Sequence, residues 1–189
     1  EPMEWVTLGP LTNIALALRE EPRIISKIKG LIMMAGAVDF GNTKPMAEFN
    51  VYADAEAAKI VIDSEIPKMM IPLDPLWHGG QLNRKEIETI NKKRNFPWCE
   101  MAGKLLERTI EMADSSRRKY AMGEGAVAPP DLLTMAIAVD PSIGRFENYR
   151  VFVETIGQYT RGMTMFDRRW NREYKDGQNA NQAAVCLAV

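Results

Sequence analysis

Short apolar runs alternate along this chain with stretches in which apolar positions recur every three or four residues. Trp5-Val6-Thr7-Leu8 reads as a strand stopped by Gly9-Pro10, and Leu11, Ile14, Ala15 and Leu18 then fall at helical spacing as far as Pro22. Ile24, Ile25 and Ile28 predict one further helical turn. Leu31-Ile32-Met33-Met34, between Gly30 and Gly36, has the pattern of a strand buried on both faces, although periodicity alone does not separate so short a run from buried helix. Gly41 and Pro45 keep the following loop open. Asp54 ahead of Ala55-Glu56-Ala57-Ala58 predicts a helix whose first amides it caps, with Glu56 complementing the positive helix end. Ile60 and Val61 continue that helix, Ile66 marks its exit and Pro67 closes it. Met69 to Leu73 makes the next strand, less regular at its end because Pro72 has no amide for the ladder.

From Leu82 to Tyr120 the chain is charged and helical, with Ile87 and Ile90 on one helix, Met101, Leu105, Ile110 and Met112 on a longer one, and Pro97 between them. Arg117-Arg118-Lys119 reads as a solvated face near a helix C-terminus. A new helix starts in Ala128-Pro129-Pro130-Asp131, where the simplest role for Asp131 is an N-cap, and it ends at Val139-Asp140-Pro141. Arg150 to Glu154, Gly162 to Asp167 and Ala183 to Val189 are strand-like, and the charged stretch from Arg168 to Lys175 reads as an exposed connection. Alternating strands and helices imply an α/β fold: an open, mainly parallel sheet with helices on both faces. Ligands of such sheets sit outside the carboxyl ends of the strands, where the loops carrying Asn42, Glu48, Phe49 and Asn50 and then Asp74 to Gly80 would lie. Two amides and a carboxylate so close in sequence can donate to and accept from a polyol. A solvated, Asn-rich turn explains the same residues equally well.

Composition narrows the partners. In 189 residues, 46% hydrophobic and 26% charged, the pattern is that of one soluble globular domain over 1–189. A formal net charge of -1 supplies no basic field for nucleic acid or anionic lipid, so neither nucleic acid nor membrane is an expected partner. No apolar run approaches the roughly twenty residues of a membrane span, and no signal peptide is visible in a chain that opens at Glu1 without an initiator methionine. Cys99 and Cys186 show no metal-ligand spacing and read as free thiols of a reducing compartment, which makes a cytoplasmic location the expectation. Met33, Met34, Met69 and Met70 fall inside apolar runs as core filler.

Gly41-Asn42-Thr43-Lys44-Pro45-Met46-Ala47-Glu48-Phe49-Asn50-Val51-Tyr52-Ala53-Asp54-Ala55-Glu56-Ala57-Ala58 resembles the signature of the calcium-dependent, inosine-uridine preferring nucleoside hydrolases, and Leu8-Gly9-Pro10-Leu11-Thr12-Asn13-Ile14-Ala15 resembles their upstream segment. The resemblance implies a nucleoside hydrolase-like, Rossmann-like fold. It also implies an enzyme of nucleoside salvage and catabolism that cleaves the N-glycosidic bond of a ribonucleoside to ribose and free base with a calcium-bound water. On the same ground Asn42, Glu48 and Asn50 bind ribose hydroxyls, Met34 packs near the sugar, and Asp131 and the Leu76 backbone carbonyl ligate Ca2+, a carbonyl ligand being independent of side chain. Purine-processing members carry a leaving-group histidine just before the aspartate. Here that position is Pro130, which cannot donate a proton, and His78, the only histidine, is the candidate substitute beside its structural reading.

Tyr120 lies near a region from which members extend aromatic side chains over the base, and no role is carried over to it. The family's Asp-x-Asp-x-x-x-Asp-Asp cluster, source of the general-base aspartate and of most calcium ligands, does not occur between Glu1 and Val189. The resemblance therefore implies a missing N-terminal strand and a fragment truncated at both ends, with the catalytic base before Glu1. The rival is a non-catalytic riboside-binding or scaffold homologue that lacks the cluster, and a third reading is an enzyme for another ribosylated metabolite. Members of the family usually form dimers or tetramers, so a homo-oligomer is expected. Base preference stays open.

Overall fold

Leu31 to Met34 are all buried, as a strand covered on both faces requires, and this strand anchors the sheet. The computed structural model of the chain describes residues 1–92, 97–114, 125–169 and 182–189. Contacts divide it into two compact units, Glu1–Pro75 with Pro130–Val189, and Leu76–Pro129. The Arg117 to Lys119 run, Tyr120 and most of the Arg168 to Lys175 connection lie outside the described residues.

The first unit holds a six-stranded sheet in the order β1-β2-β3-β8-β6-β7. Its strands are β1 (Met3–Thr7), β2 (Ile28–Met34), β3 (Lys68–Ile71), β6 (Arg145–Val153), β7 (Thr164–Asp167) and β8 (Gln182–Ala188). β1, β2, β3 and β8 run parallel, in registers that set Thr7 beside Met33 and Met34 beside Ile71. β6 returns antiparallel to β8, and β7 antiparallel to β6. Helix α1 (Thr12–Glu20) packs on α3 (Ala55–Ile62), while α6 (Pro130–Val139) lies against β2. The core gathers Leu11, Leu31, Met33, Val61, Ile62, Met70 and Val185, each at most 1% exposed. Burying such side chains contributes roughly 1.5–3 kcal/mol apiece.

Local chemistry sets the helix heads. The Asp54 carboxylate accepts from the Ala57 amide at 3.0 Å, as the sequence predicts, and from the Thr12 hydroxyl at 2.7 Å, which ties the head of α1 to the head of α3. Two expectations change. Ile28 belongs to β2 rather than to the preceding turn, which is a 3-10 helix over Pro22–Lys27. The loop before Asp54 already contains a short helix, α2 (Phe49–Ala53), whose N-cap is Glu48. Asp131 is not the N-cap of α6, because Pro130 occupies the first helical position, where its missing N–H costs nothing.

The second unit pairs α4 (Arg84–Lys92) with α5 (Pro97–Asp114), beside a two-stranded sheet of β4 (Leu82–Asn83) and β5 (Ala126–Val127). Ile87, Ile110 and Val127 form its core, with Leu82 and Leu106 against it. Met101, Leu105 and Met112 point to solvent. Among the described residues no helix is long and apolar enough to cross a membrane, and both cysteines are free thiols.

Candidate functional site

Where β2 ends, five consecutive amides are all engaged. Ala35 N donates to Ile71 O at 3.2 Å and Gly36 N to Glu48 Oε2 at 3.0 Å. Ala37 N donates to Thr164 Oγ1 at 3.1 Å, and the same hydroxyl donates to Ala37 O at 2.8 Å. Val38 N and Asp39 N donate to the two oxygens of Asp74, at 2.7 and 2.9 Å. Gly36 permits this path: its φ is +80°, and a Cβ there would stand 2.4 Å from Met70 Cε. Turning away from the ladder leaves amides that must find acceptors. Three side chains remote in sequence supply them.

Glu48 is 1% exposed, so a solvated turn does not describe it. It caps α2 by accepting from Asn50 N at 2.7 Å on Oε1 and from Val51 N at 3.2 Å on Oε2, beside the Gly36 bond. A carboxylate has about four acceptor sites, and these amides take three, leaving capacity on Oε1. Burial pushes the Glu48 carboxyl above the usual range, the three amides oppose that, and the Asp131 charge adds to the rise.

Asn50, 6% exposed, points its Nδ2 at Met34 O (3.0 Å) and Met34 Sδ (3.2 Å). The Met34 carbonyl can only accept, so the amide nitrogen faces it and Oδ1 is left to accept from elsewhere. Met34 closes the carboxyl end of β2 and is buried. Asn42 is exposed; its Oδ1 accepts from Phe49 N at 2.9 Å and from the Thr43 hydroxyl at 3.2 Å, which braces the loop and leaves Nδ2 to donate.

The structure therefore brings together Met34, Glu48, Asn50 and, through its charge, Asp131. Asp131 lies one residue inside α6, exposed, and among the described residues its carboxylate takes no hydrogen bond; desolvation by its surroundings pushes its carboxyl up. Leu76 and His78 belong to the second unit: Leu76 is buried in a 3-10 turn over Asp74–Trp77, and His78 is exposed in the turn after it. Among the described residues no group of three or more His, Cys, Asp or Glu could hold a metal ion. Asp74 and Thr164 were not singled out as site residues in the sequence. The signals available were an aspartate directly after an apolar strand and a threonine opening the Gly162-Met163-Thr164 run.

Comparison with known proteins meets this geometry. The family profile described as inosine-uridine preferring nucleoside hydrolase matches residues 1–189. A pyrimidine-specific ribonucleoside hydrolase, RihA, of Escherichia coli is 37% identical over 169 residues, covering 88% of this chain and 52% of the relative. The solved plant nucleoside hydrolase PpNRh1 superposes with a TM-score of 0.81 at 25% identity, over 98% of this chain and 57% of its own. A purine-preferring ribonucleoside hydrolase from Gardnerella vaginalis gives a TM-score of 0.78 at 29% identity, over 98% and 55%. The chain spans about half the length of the curated relatives it matches.

Proposed function

Because this chain belongs to the inosine-uridine preferring nucleoside hydrolase family, we propose that the protein carrying it hydrolyses the N-glycosidic bond of ribonucleosides to ribose and a free base. The observation that carries the reading is the pairing of buried Glu48 and Asn50 at the carboxyl end of β2, within electrostatic reach of the Asp131 carboxylate. Ribose offers vicinal hydroxyls that both donate and accept. The open site on Glu48 Oε1 and the Asn50 Oδ1 accept from them, and the Asn42 Nδ2 donates.

Cleavage passes through an oxocarbenium-like state, in which positive charge develops on the sugar ring. Two acceptor oxygens fixed beforehand by backbone bonds stabilise that charge without reorganising, and their effect grows because the site is buried. Met34, buried beside them and in contact with Asn50 Nδ2, packs near the sugar in this reading.

Calcium is the cofactor we propose. Asp131 suits an oxygen-seeking cation, because its carboxylate is partly desolvated and takes no hydrogen bond among the described residues. It is one ligand, and the described residues make up no full shell. When bound, calcium supplies a hold on two sugar hydroxyls and a more acidic water. Nothing in the roles of Glu48, Asn50 and Met34 depends on which residues complete the shell. A homo-oligomer is proposed on family grounds alone, and light scattering reads it.

Pyrimidine ribonucleosides are the first substrates to try. Pro130 cannot protonate a leaving base, and the relative at 37% identity is pyrimidine-specific by name. The test is release of ribose from uridine, cytidine and inosine by the full-length protein, with calcium and with a chelator. Ribose and free base in the first condition and their loss in the second are expected. Nucleoside binding without any release of base would replace this reading by the non-catalytic one. His78→Ala tests the histidine route, since an unchanged kcat/KM for uridine removes His78 as the leaving-group acid.

A further inference from the structure

Thr164 stands where the β6–β7 turn comes down on the α2 segment. Gly162, with φ +80°, passes so close that a Cβ would lie 2.8 Å from Tyr52 Cα, and Met163 bridges Ala47. The turn is held at both flanks, with Glu154 N donating to Met163 O at 3.0 Å and Gly162 N to Glu154 O at 2.7 Å. The next residue, Thr164, is 3% exposed and its hydroxyl bonds both polar groups of Ala37. Asp74, 5% exposed, holds the two amides that follow. Gly36 N, the one loop amide that reaches Glu48, is thus followed at once by a residue held through both its N–H and its C=O.

We propose that Thr164, with Asp74 as its second anchor, is a positioning residue for Glu48: it holds the β2 exit loop so that the Gly36 amide stays on Glu48 Oε2 and the carboxylate keeps Oε1 turned to the sugar. The proposal rests on the function assigned above for Glu48, but the clamp itself is readable without it. A hydroxyl that donates to and accepts from one residue's backbone cannot be replaced by an apolar group of the same shape without freeing both an N–H and a C=O in a buried place. Their search for other partners moves the loop by fractions of an ångström. Misplacement of that order is costly to a group that must meet a transition state.

The test uses the full-length protein and three variants, Thr164→Val, Thr164→Ser and Asp74→Asn. Hydrogen exchange at the Gly36 amide is expected to speed up about tenfold in Thr164→Val, the size of one lost hydrogen bond, and to return to the wild-type rate in Thr164→Ser. If Thr164→Val does not fold, Asp74→Asn, which weakens the hold on Val38 and Asp39, must speed the same amide. Gly36 protection unmoved by these substitutions would overturn the clamp.

A double-mutant cycle reads its catalytic purpose. Thr164→Val is expected to lower kcat/KM by about tenfold, mainly in kcat, and by less than about twofold when Glu48 is already Gln. Equal losses in both backgrounds would show that Thr164 does not act through Glu48 and would overturn the proposal. A wild-type protein that releases no ribose removes the assigned function instead, and the exchange measurement still decides the clamp.

Discussion

The two ends of the parallel sheet solve opposite problems. Past the carboxyl end of β2 the backbone presents mostly amides, and acceptors from Glu48, Thr164 and Asp74 answer four of them, while Asn50 and Thr164 donate to the carbonyls of Met34 and Ala37. At the amino end of β3 the backbone presents carbonyls, and a donor answers: buried Lys68 reaches Ser64 O at 2.5 Å and Ile66 O at 2.9 Å. Both arrangements satisfy polar groups that burial would otherwise leave costly. They differ in what remains. Glu48 Oε1, Asn50 Oδ1 and the Asp131 carboxylate keep acceptor capacity at the carboxyl end, whereas Lys68 spends its donors on the fold. Position along the strands thus separates side chains that keep acceptor capacity from one whose donors hold the fold.

Asn50→Ala should break the carboxyl end most severely. On the proposed function the variant loses an acceptor for the transition state, and it leaves Met34 O without its donor. A fixed hydrogen-bonding group at a developing charge is worth a few kcal/mol, so kcat/KM should fall about a hundredfold or more. The orphaned carbonyl should cost a further 1–3 kcal/mol of stability, roughly. Steady-state kinetics beside denaturant unfolding separate the two effects. An unchanged kcat/KM would remove Asn50 from the site.

At the amino end the expected effect is on stability alone. Burial depresses Lys68 from its ordinary 10.5 to about 8, with Asp63 acting the other way. Between about 8 and 10.5 the folded state is deprotonated at Lys68 while the unfolded state is not, so stability rises with pH across that window. The full rise is on the order of 2–3 kcal/mol, and it should be missing in Lys68→Met. Unfolding midpoints of both proteins across that pH range check it. Below pH 8 the variant's kcat/KM should equal that of wild type, and a large loss there would show that the two ends are not separate in function.

The order of strands and helices was legible because buried strands and amphipathic helices write themselves as local patterns. So was the group of Met34, Glu48 and Asn50, as a resemblance. What escaped depended on groups that carry no local signature. Helix α2 was hidden because glutamate is not among the preferred N-caps, and only the fold shows Glu48 closing on Asn50 N and Val51 N. Ile28 kept helical company with Ile24 and Ile25, yet its pairing with Met3 in the sheet decided its state. Thr164 meets Ala37 across 127 positions and Asp74 meets Val38 across 36, separations that no periodicity records. The longer helix of the second unit is apolar on more than one side, so its sequence did not show that Ile110 is buried and Leu105 is not.

The finest test stays at the carboxyl end and asks whether burial, rather than position, makes a carboxylate useful there. Glu56 sits in the first turn of α3 much as Glu48 heads α2, but it is exposed and forms a two-pronged pair with Arg161, both contacts 2.6 Å. The two acids shift in opposite directions. Arg161 lowers Glu56 to about 2, whereas burial raises Glu48. A depressed carboxylate contributes stability above its unfolded value, here 4.5, and loses it as pH falls toward 2. Glu56→Gln should therefore flatten the acid side of the Tm profile between those values, by a small amount that shrinks at high salt, since both partners face water. Asp167, held down by Arg169, titrates in the same range in both proteins and cancels in the difference. kcat/KM should not move, and if it falls as far in Glu56→Gln as in Glu48→Gln, burial is not what sets Glu48 apart.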